Sequence, residues 1–99
     1  MDGKWKITLV ASARRHGFER IDALAAISRA RLTADPFQAS RIPSTPDPAG
    51  WIGPAVDGTE VEVFAEVDHR AREIQIFHMM EARPHIIRTI ETAQKEQKR

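Results

Sequence analysis

Cysteine is absent from this 99-residue chain, which excludes a disulfide, a thiolate zinc site and a cysteine nucleophile. Stability must therefore come from core packing. Long apolar runs are missing as well: none approaches the roughly 20 residues that a membrane-spanning helix needs. The opening Met1-Asp2-Gly3-Lys4 also lacks the apolar stretch of a signal peptide. The expectation is a cytoplasmic protein with no membrane partner. Nor is there an excess of charge of one sign, since 15 Lys and Arg meet 14 Asp and Glu for a formal charge of +1. Gross electrostatics thus do not demand a nucleic-acid partner, although Arg14-Arg15-His16 and the group Arg70, Arg72, Arg83, His85 and Arg88 are locally basic. The four histidines keep no recognised zinc spacing, and neither a glycine-rich phosphate loop nor a nucleophile elbow occurs. The reading therefore calls for no metal and no cofactor.

What is present is a composition of 41% hydrophobic and 29% charged residues, which suits one globular domain spanning 1–99. The clearest pattern lies between Thr59 and Pro84. Val61, Val63, Ala65 and Val67 alternate with Glu60, Glu62, Phe64 and Glu66, a period of two that predicts a strand with one buried face. After the polar link 68–72, Ile74 and Ile76 alternate with Glu73, Gln75 and Phe77. Two such runs joined by a short polar loop predict a β-hairpin at about 59–80. Continued alternation puts His78 on the buried side with Ile74 and Ile76.

Upstream, residues 5–10 have strand propensity. The preferred expectation is nevertheless a helix running to His16 and stopped by Gly17, with Arg14, Arg15 and His16 in a last turn that suits cations. A second helix is expected from Phe18 to near Ala30 or Leu32, with Ile21, Leu24, Ala25 and Ile27 recurring at three- and four-residue intervals. Four prolines in 33–48 predict an exposed loop, with a short edge strand at 37–42, before a brief strand at Trp51 and a turn at Asp57-Gly58. Pro84 suits the first turn of a last helix with Ile86, Ile87 and Ile90 inward, and the polar residues 94–99 should fray. The fold class that results is α+β: two N-terminal helices, a small antiparallel meander and a C-terminal helix, with the helices on one face.

Each candidate for chemistry has a plain structural alternative. His16 could hold phosphate or cap a helix. His78 could be a general base near Arg83 or a satisfied core histidine. Arg83 and Arg88 flank the start of the last helix, where free N–H groups and a guanidinium would favour an anion. Arg70 and Arg72 read as solvated loop charges, and Trp5 and Trp51 as core anchors rather than stacking platforms. Of Met79 and Met80, one should be core and the other exposed.

The segments Ser12 to Phe18, Ile52-Gly53-Pro54, Glu62-Val63 and Ile76 to Pro84 together resemble BrnT-like toxins. They are most similar to short actinobacterial chains carrying S-A-R-x-H-G, I-G-P and I-x-H-A-M-x-A-R-P in that order. The resemblance implies a fold like that of the RelE superfamily and a type II toxin that cleaves RNA, inhibits translation and is held by a cognate antitoxin. It marks His16, Glu62, His78 and Arg83 as site positions. RNA cleavage would then draw on His78 as base or acid, Arg83 for the phosphate, and Arg14, Arg15, Arg72 and Arg88 for RNA binding. The chain departs from many BrnT-like sequences in having Met80-Glu81 where an arginine is expected near position 80.

Overall fold

The computed structural model describes residues 4–98. Its chain order is β1 (Lys6–Leu9), a 3-10 turn (Ala11–Arg14), α1 (Arg20–Ser28), β2 (Leu32–Ala34), β3 (Ala49–Pro54), β4 (Glu60–Asp68), β5 (Glu73–Glu81) and α2 (Pro84–Gln97). The five strands form one mixed sheet in the order β1-β5-β4-β3-β2. β1 runs parallel to β5, and the other neighbours are antiparallel. The domain is therefore α+β, but the expected pair of N-terminal helices is corrected to a strand followed by one helix. Lys6 and Thr8 are exposed while Ile7 and Leu9 are half-buried, so alternation at the sheet edge prevails over the helical reading. The 3-10 turn ends at Arg14 with Arg15 as its cap, and Gly17, at φ 90°, follows with its N–H donating to the Arg14 carbonyl.

The hairpin of β4 and β5 is present, yet its expected one-sided burial is not. Val61, Val63 and Ala65 join Ile74, Ile76, Met79 and α1 residues Ala23 and Ala26 in one core cluster. Phe64 and Ile52 join Phe37, Leu32 and α2 residues Ile86 and Ile90 in a second. Because Val63 and Phe64 point to opposite faces of β4, α1 covers one face of the sheet and α2 the other. The expectation of helices on a single face is thus overturned. Phe64 was the available signal, being a large apolar residue on a face read as solvated.

α1 is shorter and narrower in its contact than expected. Glu19 and Asp22 form a reciprocal capping box at its start. Its buried residues are Ala23 and Ala26, whereas Ile21 is 63% exposed. Small side chains let the helix lie directly on β3, where a Cβ on Gly53 would stand 2.1 Å from the Ala26 carbonyl oxygen. Along α2, Pro84 occupies the first turn as predicted, with Arg83 at the N-cap. The tail is docked rather than frayed through Gln97. Thr33 N–H donates to Gln94 Oε1 at 2.7 Å, Asp35 N–H to Gln97 Oε1 at 3.1 Å, and Gln97 Nε2 to the Pro36 carbonyl at 2.7 Å. These amides cover polar backbone at the edge formed by β2. The expected edge strand at 37–42 is absent; that segment is irregular. Among the described residues, no helix is long and apolar enough to cross a membrane.

Candidate functional site

The site begins with an irregularity in the hairpin. Phe64 opposes His78 and Ala65 opposes Ile76, so Phe77 is an extra residue in β5, a β-bulge. Without it, His78 would share a face with Ile74 and Ile76. With it, His78 lies across from Phe64 on the α2 face, correcting its expected place beside those isoleucines. Its ring stacks on Phe64 with centroids 4.3 Å apart.

Glu62, two residues before Phe64, lies on the same face and is 0% exposed. It accepts from His78 Nε2 at 2.8 Å, from the Arg83 backbone N–H at 2.9 Å and from Arg83 Nε at 3.0 Å, with Arg83 Nη2 also on Oε2. Burial by itself pushes the Glu62 carboxyl up, but the hydrogen bonds from His78 and Arg83, with the guanidinium charge, outweigh it and hold the group below its ordinary value. The same hydrogen bonding raises the Arg83 guanidinium further. An ionised carboxylate has no proton to donate. Neutral His78 must therefore carry its proton on Nε2, leaving the Nδ1 lone pair free. The anion anticipated at the start of α2 is in part internal, namely the carboxylate of Glu62.

His16 follows the 3-10 turn, and its ring meets His78 edge-on with centroids 6.1 Å apart. The sheet thus gathers Glu62, His78, Arg83 and His16, the four positions the resemblance marked. Arg14 and Arg15 share the short segment of His16 and are exposed. Arg72 does not join them. It lies in the turn just before β5 and, six residues from His78 at about 3.3 Å per residue, stands roughly 20 Å away. Arg88 lines a separate hollow on α2 with His85 and Phe37. Trp5 is 38% exposed and meets the His69 ring edge-on instead of anchoring the core, whereas Trp51 packs against the first cluster. Met79 is buried and Met80 half-buried on the opposite face.

Beside the Glu62 cluster opens a groove of about 560 Å³, into which His78, Arg83, Phe64, Phe77, Glu66 and the irregular segment around residues 38–48 face. Sequence reasoning reads that segment as an exposed loop with a short edge strand at 37–42 and gives Phe77 no role. The prolines that break regular structure there also shape the groove wall, a link that pattern alone does not reveal. Compared with protein-family models, with curated proteins and with solved structures, the chain finds no match in any of the three.

Proposed function

We propose that this chain is a ribonuclease, the toxin half of a toxin–antitoxin pair, acting on RNA by internal phosphoryl transfer. The observation that carries the reading is the pairing of two imidazoles, His78 and His16, with ring centroids 6.1 Å apart, where His78 lines a groove with Arg83 and both are hydrogen-bonded to the buried Glu62 carboxylate. The ordered motif resemblance to BrnT-like toxins supports the toxin role.

The chemistry follows from the tautomer. His78 Nδ1 takes the proton of a ribose 2′-hydroxyl as its oxygen attacks the adjacent phosphorus. The bond from phosphorus to the 5′-oxygen breaks, and protonated His16 gives that oxygen its proton. The products are a 2′,3′-cyclic phosphate and a free 5′-hydroxyl. Glu62 keeps His78 oriented and stabilises the imidazolium that forms, while N–H groups of Arg83 not engaged by Glu62 bind the phosphate oxygens in the transition state. Arg14 and Arg15 extend the cationic approach for the RNA backbone.

One observation favours a second reading, a catalytically silent module of the same fold that binds an antitoxin or other protein. Arg83 already gives its backbone N–H, its Nε and one Nη2 N–H to Glu62, so part of its charge is met inside the protein. The test is cleavage of a single-stranded RNA by purified protein, with end-group analysis, beside growth after induced expression. The ribonuclease reading expects cyclic phosphate ends, growth arrest, and a loss of about 10²-fold or more in rate for His78→Ala with the fold intact. Intact RNA together with normal growth leaves the binding module.

A further inference from the structure

We infer that the groove beside the histidines is a nucleobase subsite, and that it selects guanine. This deepens the ribonuclease reading and rests on it for the identity of the ligand as RNA.

The groove has the size of a small-ligand site and combines an apolar floor with a few polar groups. Beside Phe64 it is lined by Phe77. The bulge lifts this residue out of the strand alternation, and it is 37% exposed although large and aromatic. Phe64 lies behind it with centroids 6.3 Å apart, and is itself held by Phe37 at 4.6 Å. A rigidly backed aromatic face next to a phosphate-binding cation is the arrangement on which single-stranded bases stack. His78 and Arg83 occupy one part of the same groove, so a phosphate held there leaves the neighbouring base within reach of Phe77.

Selectivity comes from Glu66. It lies two residues beyond Phe64 on β4, lines the groove, and is half-buried. Among the described residues no donor is paired with its carboxylate, in contrast to Glu60 and Glu62 on the same strand face. A carboxylate only accepts. Guanine presents two adjacent N–H donors on its Watson–Crick edge, cytosine and adenine one amino group each, and uracil mainly acceptors. Two carboxylate oxygens match the guanine pair. Uracil oxygens would face the negative charge. Arg41 also lines the groove, and it offers a cation to the nucleotide's phosphate or to the guanine O6 and N7 acceptors.

The experiment is calorimetric binding of guanosine 3′-monophosphate and uridine 3′-monophosphate to the full chain and to its Phe77→Ala and Glu66→Gln variants, each checked for native circular dichroism. The expected result is tighter binding of the guanosine nucleotide, weakened about ten-fold or more by Phe77→Ala. Glu66→Gln should bring the two nucleotides to within about two-fold of each other, since an amide no longer presents two acceptors. Equal affinity for the two nucleotides, or full affinity in Phe77→Ala, overturns the subsite. Selective binding by a protein that leaves RNA whole would overturn the ribonuclease and keep the subsite. Cleavage without base preference would do the reverse.

Discussion

Replacing Glu62 by Gln keeps the shape of the side chain and removes its charge, so it isolates what the carboxylate contributes. His78 and Arg83 would face a mixed amide in which one end is a donor, leaving a donor-to-donor contact in a buried spot. The expected loss is about 2–3 kcal/mol in urea unfolding, limited because the Arg83 side chain is 39% exposed and can turn toward water. The pH dependence has a defined sign. The Glu62 carboxyl is held below its ordinary value in the fold, so the unfolded chain takes up a proton first as pH falls. Its stabilisation is complete above the ordinary carboxylate range and is lost as pH drops through the lowered folded-state value. Urea midpoints should fall over that acidic window, and less steeply in the Gln variant. A residual slope is expected because Glu60, through Arg31, and Asp57, through Thr59, are shifted in the same direction. At this scale the sequence names the candidates that the structure brings together, Glu62, His78, Arg83 and His16, but misplaces two of them. Glu62 read as solvated because nothing local announces its burial, and His78 read as core because a bulge leaves no mark on a period-two pattern.

Between elements, the packing of α1 on β3 is the tightest constraint described above. Gly53→Ala would drive a methyl group into the Ala26 carbonyl, and backbone cannot swing aside as a side-chain tip can. A loss of about 3 kcal/mol is expected in chemical unfolding. By contrast, a Cβ at Gly58 meets nothing within 4 Å, and Gly58→Ala should cost only about 1 kcal/mol for its positive φ. The far end of α2 gives a separate test. Gln97→Ala removes two hydrogen bonds to the Asp35–Pro36 backbone, about 1 kcal/mol each at most. The local effect should be larger than the global one, seen as faster amide exchange at Thr33 to Asp35 with exchange in β4 unchanged. Legibility varied for physical reasons. Pro84 and the capped turn at Gly58 are short-range signals and were read correctly. β1 was read as helix because what makes it a strand is its partner, the distant β5, and that pairing is invisible to local propensity.

For the whole molecule, the sheet order brings the first strand against the last. Ile7 pairs with Ile74 and Leu9 with Ile76, so the contacts that complete the sheet are also those of greatest separation along the chain. Such topologies close late. The polar, Pro-rich run at 33–48 marked a loop in the sequence, but its service as a groove wall depends on β4 and β5, which supply the facing side chains Phe64, Glu66, Phe77 and His78. A consequence follows for the nascent chain. While the ribosome is still adding the residues of β5, β1 has no partner and His16 has no His78 beside it. The two imidazoles meet only after β5 has emerged and docked, so a chain still short of β5 carries none of the proposed cleavage activity toward the message that encodes it.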